Sequence, residues 1–93
     1  MRAYEITCVF RPEDEEFVRG REMVKQELAK LDATINKEED MSVRTLAYTV
    51  KNMNQGHYYV YFVDMDPEKA AQIEETLKLK QELLKVLVIR KGD

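Results

Sequence analysis

The side chains with the greatest capacity for chemistry are His57 and Cys8, the one histidine and the one cysteine of the chain. His57 has no Asp, Ser or Cys near it in sequence that would suggest a catalytic dyad, so a surface or strand-edge histidine is expected. Cys8 lies in an alternating strand pattern, where a small buried thiol is typical, whereas a reactive thiolate usually lies at a turn or helix start. A lone cysteine forms no internal disulfide, which favours a reducing cytoplasm.

Other chemistry is weakly supported. The acidic groups at residues 13–16 and 38–40 could bind a hard cation, but solvation of a helix start and a turn explains them more simply. There is no glycine-rich phosphate loop, and one cysteine cannot build a cysteine-ligated metal site. Arg11 follows the first strand as in acylphosphatase-like enzymes, but Pro12 and four carboxylates come next and would repel phosphate. We therefore predict no enzymatic activity, no metal and no cofactor.

The composition predicts one soluble domain spanning residues 1–93. Of these residues, 44% are apolar and 35% are charged, which is ordinary for a globular protein with its own core. No apolar run is long enough to cross a bilayer, and no secretory pattern opens the chain. The net charge of −3 argues against a DNA or RNA binder that relies on bulk charge, but not against one with basic residues grouped on one face.

Two helices are needed to cover the strands. A helix over residues 13–31 begins with four carboxylates near the positive end of its dipole and has an apolar stripe along one side. A second helix starts at Asp66 as N-cap, with Pro67 in its first turn, and ends near Leu79. Strands are predicted at residues 4–10, 57–65 and 86–89.

The stretch 44–50 alternates as a strand does, and a bend at residues 40–42 joins it to residues 33–38 as one long second strand at a sheet edge. Residues 51–56 form the hairpin turn before the third strand. The order βαββαβ predicts an α+β, ferredoxin-like sandwich: a four-stranded antiparallel sheet with both helices on one face. Right-handed crossovers are expected to place the first and last strands side by side at the centre.

The third strand has apolar side chains on both faces. Tyr58 and Phe62 lie on one face, while Tyr59 and Tyr61 lie on the other. If the helices cover one face, the other is a candidate for a partner protein, a second copy of the chain, or unstacked bases. The alternative is an ordinary solvated face, because monomer surfaces are largely apolar by area.

Basic residues lie at strand ends and beside turns. Arg2, Arg90 and Lys91 belong to the two strands predicted to be neighbours and could form a small cluster for a phosphate backbone. Solubilising charge at the ends of the chain explains them equally well.

Two motifs bring the chain close to a known family. The opening Arg2-Ala3-Tyr4-Glu5 and the run from Arg44 to Tyr48, followed by Gly56-His57-Tyr58, closely resemble bacterial ribosomal small-subunit protein number six. The similarity extends from Arg2 to about Lys91. It implies a ribosome-associated, cytoplasmic protein that binds the central domain of 16S ribosomal RNA in a heterodimer with the eighteenth small-subunit protein.

The resemblance, with side-chain type, assigns candidate contacts. RNA contacts are expected at Arg2, Tyr4, Arg44, Lys51, Arg90 and Lys91. Partner contacts are expected at Leu46, Tyr48, His57, Tyr59 and Tyr61. The alternative from another class is a self-associating ferredoxin-like regulatory or small-ligand-binding domain, which would explain the apolar sheet without RNA.

Overall fold

The structure, a computed structural model, describes residues 1–91. Along the chain it contains β1 (Arg2–Phe10), α1 (Asp14–Lys30), β2 (Thr34–Val50), β3 (Met53–Met65), α2 (Pro67–Lys78) and β4 (Leu83–Lys91). The strands form one antiparallel sheet and the helices pack on one of its faces, which confirms the predicted βαββαβ sandwich.

Both helices begin as their sequences predict. Three carboxylates lie in the first turn of α1, where they oppose the positive end of its dipole. At the start of α2, the Glu68 amide donates to Asp66 Oδ1 at 3.0 Å, and Pro67 occupies a first-turn position that needs no donor. Each helix turns an apolar stripe toward the sheet, and Val24, Leu28, Ile73 and Leu77 are fully buried.

The order of the strands is β2-β3-β1-β4. β1 and β4 are neighbours, as predicted, but the expectation that both lie at the centre is wrong. β1 and β3 are central, because each crossover skips one strand and the two βαβ units interleave. β2 lies at an exposed edge, as expected, and β4 forms the other edge.

The hairpin turn is shorter than predicted. Only Lys51 and Asn52 form it, with φ of 50° and 66°, and β3 begins at Met53 instead of His57. Two consecutive positive φ values are typical of the tight turns that match strand twist. Gly56 is therefore a strand residue, and its hydrogen is needed for space, because a Cβ there would overlap the Val9 side chain.

The core lies between the helices and alternate residues of the sheet. From β1 it contains Tyr4, Ile6, Cys8 and Phe10; from β3 it contains Tyr59, Tyr61, Val63 and Met65. Val9, Val60 and Leu84 are also buried but lie outside this cluster. Strand alternation places Val9 and Val60 on the face turned away from the helices, which we call the open face.

Candidate functional site

The open face has apolar side chains on β3 and β4, with Glu5 and Thr7 of the central strand β1 between them. On β3 and β4 it presents Phe62, Leu87 and Ile89, of which Leu87 is 50% and Ile89 43% exposed. In register, Glu5 of β1 lies between Phe62 and Ile89, and the Lys37 ammonium lies 5.5 Å from the centre of the Phe62 ring. We call Phe62, Leu87 and Ile89 the apolar strip; apolar side chains with charged groups among and around them are typical of a surface that docks another macromolecule.

Tyr59 and Tyr61 lie on the opposite, helix-covered face. They are 7% and 0% exposed, so the assignment of these two rings to a partner contact is wrong. The Tyr59 hydroxyl donates to Glu38 at 2.7 Å, and the Tyr61 hydroxyl donates to the Arg21 carbonyl oxygen at 3.1 Å. Burial, followed by the nearby Glu38 carboxylate, raises the pKa of Tyr59 to about 12. Pairing between β3 and β1 sets which side chains face the helices, and sequence alternation alone does not reveal it.

The far part of the β2–β3 hairpin, residues 43–56, extends past the end of β1, and we call it the arm. Along it, Leu46, Tyr48 and Val50 line a cleft of about 90 Å³ together with Tyr58 and Lys85 of the sheet. Tyr48 is 69% exposed. The predicted partner residues Leu46 and Tyr48 thus lie beside the open face, and their contact with a partner stays a prediction.

His57 lies where the arm meets the sheet. Its Nε2 is 2.6 Å from Asp40 Oδ1, which also accepts from the Ser42 amide at 2.8 Å. Ser42 has φ of 69°, and the β2–β3 register shifts at this point, so the predicted bend in β2 is confirmed. The His57 ring stacks on Phe17 of α1, with centroids 3.6 Å apart. His57 therefore ties the bend to α1, and its contact with a partner stays a prediction.

Asp40 is held as a carboxylate by these contacts. Burial opposes its charge, but hydrogen bonds from His57 and from the Ser42 amide outweigh that effect and lower the pKa of Asp40 below its usual value. Both bonds are stronger when the acceptor is ionised, so the charge of Asp40 strengthens the contacts at the bend.

The predicted RNA-binding residues divide between the two ends of the sheet. Arg2, Arg90 and Lys91 are exposed at one end, where the last residues of β4 pair with the first residues of β1. The Lys91 ammonium is 2.9 Å from Glu5 Oε2. Tyr4 pairs with Arg90 in this register but is only 6% exposed, so its ring is part of the core and its assignment to RNA is wrong.

Arg44 and Lys51 lie in the arm, at the other end. Arg44 Nε donates to the Met41 carbonyl oxygen at 3.0 Å, and its guanidinium lies 6.0 Å from the centre of the Tyr58 ring. Lys51 Nζ donates to the Leu83 carbonyl oxygen at 2.7 Å, which ties the tip of the arm to the start of β4. The two basic groups therefore lie at opposite ends of the sheet.

Groups capable of covalent or metal chemistry are absent from these surfaces. Cys8 is fully buried, and burial raises the pKa of its thiol far above the usual range, so the thiolate is suppressed. Within residues 1–91, no three His, Cys, Asp or Glu side chains are grouped so as to hold a metal ion. Over the same residues, no helix is both long and apolar enough to cross a membrane.

Comparison with known proteins distinguishes a ribosomal protein from a self-associating ferredoxin-like domain. The family described as Ribosomal protein S6 matches residues 3–90. The small ribosomal subunit protein bS6 of Treponema pallidum (strain Nichols) is 33% identical over 90 residues, covering 97% of both chains. The bS6 of Sulfurovum sp. is 36% identical over 92 residues, covering 97% of this chain and 72% of that one.

The chain belongs to the Ribosomal protein S6 family.

The fold agrees with that membership. A crystal structure of 30S ribosomal protein S6 from Thermotoga maritima superimposes with a TM-score of 0.87 and 27% identity, covering 97% of this chain and 87% of the other. As a bS6-type protein, the chain is a component of the small ribosomal subunit in the cytoplasm, which confirms the resemblance read from its two motifs. The family consists of structural ribosomal proteins, so the prediction of a non-enzyme is also confirmed.

Several surface residues of this S6-family chain were missed by the sequence analysis as contact candidates. The apolar pattern of the third and fourth strands does not reveal that Phe62, Leu87 and Ile89 lie on the open face, because the pairing of the strands decides this. No pattern in the sequence singles out Lys78 or Lys85. The Asn and Gly residues of the stretch 51–56 predicted a hairpin turn, but nothing in the sequence indicated that the arm would contact β4.

Proposed function

We propose that this chain binds the central domain of 16S ribosomal RNA together with the eighteenth small-subunit protein, and that it acts as a structural component without cofactor. The observation that carries the proposal is the exposed apolar strip of the open face, which has basic side chains at the adjacent strand ends, in a chain of the Ribosomal protein S6 family. The apolar strip suits a protein partner, and the basic ends suit phosphates.

The partner is proposed to dock on the open face and on the side of the arm that lines the cleft with Leu46, Tyr48 and Val50. Leu87 and Ile89 give it apolar surface, and Leu46 and Tyr48 extend that surface onto the arm. β2 is an edge strand, so its outer backbone groups are also open to pairing with an added strand. Burying these exposed side chains would contribute to the affinity, since removing apolar surface from water is favourable by roughly 25 cal/mol per Å².

The phosphate contacts are proposed for Arg2, Arg90 and Lys91. Each neutralised phosphate releases counterions and adds to a salt-dependent affinity. The chain as a whole is acidic, at −3, and Lys91 is already paired with Glu5. So few cationic groups predict weak binding by the chain alone and much tighter binding when the partner adds its own contacts.

The test measures binding of a 16S central-domain RNA fragment by filter retention at several salt concentrations, with the chain alone, the partner alone, and both together. The expected result is weak binding by the chain alone and much tighter binding by the pair. Equal, tight and salt-resistant binding by the lone chain would overturn the proposal.

Exchanging Arg2 and Arg90 for alanine tests the phosphate contacts. Two lost contacts are expected to make the slope of log K against log salt shallower by about 1.4 to 1.8. A matched control removes two cations from α1 instead, in the variant Lys25→Ala/Lys30→Ala, and should keep the original slope. An unchanged slope in the Arg2/Arg90 variant would remove those residues from the interface.

A second candidate function uses the same apolar strip. Leu87 and Ile89 would suit a second copy of the chain, as in self-associating ferredoxin-like domains. Sedimentation of the isolated chain discriminates: a monomer that binds the partner supports the ribosomal proposal, whereas a stable homodimer that excludes the partner favours self-association.

A further inference from the structure

A small pocket opens where the tip of the arm, the end of α2 and the start of β4 meet. Its volume is about 70 Å³, and its wall is formed by Leu77, Leu83, Leu84 and Val86 together with Lys51, Lys78 and Lys85. Its rim brings lysines from three separate elements to one place.

The three lysines are held differently. The Lys51 ammonium donates to the Leu83 carbonyl oxygen at 2.7 Å, which leaves further N–H donors of the group available. Lys78 is 3.4 Å from Glu74 one turn earlier on α2, with 60% of its side chain exposed. Such exposed pairs are weak and exchange readily with a stronger anion. Lys85 is exposed on β4.

The pocket wall contains no carboxylate. This is notable because acidic residues outnumber basic ones in the chain, 18 to 15. Likewise, the arm between residues 43 and 56 has two basic side chains and no acidic one. All charged side chains of the pocket wall and of the arm are therefore basic, which favours a polyanion as the occupant.

This pocket is remote from the basic group of Arg2, Arg90 and Lys91. β1 pairs with β4 from Ala3, opposite Lys91, to Phe10, opposite Leu83. At about 3.3 Å per residue, the two ends of this ladder are about 23 Å apart. One phosphate or a pair of neighbouring phosphates cannot contact both ends.

We propose that the rim formed by Lys51, Lys78 and Lys85 is a second phosphate-backbone site, at which the chain contacts a different segment of the RNA from the one held by Arg2, Arg90 and Lys91. The inference rests on the RNA binding proposed above and adds that the protein bridges two RNA segments, with the docked partner on the open face between them. The apolar wall contributes contact with a ribose, while the ammonium groups hold the phosphates.

The experiment compares two variants in the complex of the chain with its partner and the central-domain RNA fragment. The rim variant is Lys78→Gln/Lys85→Gln, which leaves the Lys51–Leu83 tether of the arm intact. The end variant is Arg2→Gln/Arg90→Gln. Lys25→Gln/Lys30→Gln on α1 is the control, because it changes the net charge by the same amount. Circular dichroism confirms that each variant is folded.

Hydroxyl-radical footprinting and the salt slope of binding are the two readouts. The rim variant is expected to lose protection in one RNA segment, the end variant in another, and each should have a slope shallower by about 1.4 to 1.8. At 0.1 M salt, a slope change of this size corresponds to a loss of affinity of about 25- to 60-fold for each variant, while the control keeps its footprint and slope.

The outcomes separate the two proposals. If the end variant loses RNA contacts and the rim variant behaves as the control, the second site is overturned and the proposed function stands. If both variants lose protection in the same segment, the bridging inference is overturned. If neither variant alters RNA binding, both proposed phosphate sites are overturned. If the parent chain and its partner do not bind the RNA fragment at all, the proposed RNA-binding function itself fails. If the rim variant instead loses the partner while the RNA slope is unchanged, the rim is a protein contact and the inference is overturned.

Discussion

Replacing Tyr61 with alanine would remove the largest fully buried side chain of the core. Its ring contacts that of Tyr59 edge-to-face, with centroids 5.1 Å apart, and its hydroxyl donates to the Arg21 carbonyl oxygen of α1 at 3.1 Å. Leu87, in contrast, lies on the open face and is 50% exposed. Comparing Tyr61→Ala with Leu87→Ala therefore tests directly which face of the sheet is covered by the helices.

The two substitutions are expected to lower the free energy of unfolding by amounts that differ several-fold. Truncating a buried aromatic ring to alanine costs about 3–5 kcal/mol, from lost transfer free energy and the cavity left behind. A domain of this length is stable by about 5–15 kcal/mol, so Tyr61→Ala would remove a large fraction. Leu87→Ala should change the free energy of unfolding by less than about 1 kcal/mol, because half of that side chain is already in water.

Urea unfolding, monitored by circular dichroism, measures the loss of stability in both variants. With a slope of about 2 kcal/mol per M, the Tyr61→Ala midpoint should fall by about 2 M, whereas the Leu87→Ala midpoint should move by less than about 0.5 M. A Leu87→Ala loss as large as that of Tyr61→Ala would refute the division of the sheet into a core face and an open face.

Three further predictions follow from local geometry. Gly20→Ala should destabilise the fold by about 1–2 kcal/mol in urea unfolding. The added Cβ would lie 2.7 Å from a Phe10 ring carbon, and this overlap outweighs the gain of about 1 kcal/mol in helix propensity. A variant more stable than the parent would contradict this prediction. The lowered pKa of Asp40 means that its contribution is present above the unfolded value of about 3.9 and is lost as pH falls through the folded value. Asp40→Asn should therefore have a flatter acid limb in its stability–pH profile than the parent, and an identical limb would show that the bond to His57 contributes nothing. Cys8 should react with a thiol reagent only at the rate of unfolding, and rapid labelling of the native protein would contradict its burial.

The helices were predictable because their signals are local. Asp66 and Pro67 identify the start of α2 within two residues, and the carboxylates that begin α1 act on the nearest turn of the same helix. The bend in β2 was also predictable, because the sequence changes around Ser42 from a polar stretch to one that alternates apolar and polar residues. Such features depend on neighbours along the chain, so no tertiary contact is needed to predict them.

The contact surfaces were less predictable because they depend on register. Tyr58 and Tyr59 are the same residue type, and only the pairing of β3 with β1 assigns one to the open face and the other to the core. The meeting of Lys51, Lys78 and Lys85 depends on how far the arm extends beyond the sheet, since they are distant in sequence. The tight turn at Lys51 fixes that reach, and the Asn and Gly residues after it suggested a longer loop.

We propose that this S6-family chain is held in the small subunit through its open face. Expressing the tagged chain in bacteria and measuring its co-sedimentation with small subunits tests this proposal. The variant Leu87→Gln/Ile89→Gln alters the open face. The variant Val18→Gln/Leu79→Gln is the matched control, because Val18 is 48% and Leu79 84% exposed on or beside the helices. The parent and the control are expected to sediment with small subunits, while the open-face variant is expected to remain with free protein although it is folded. Equal incorporation of the open-face variant and the control would contradict it.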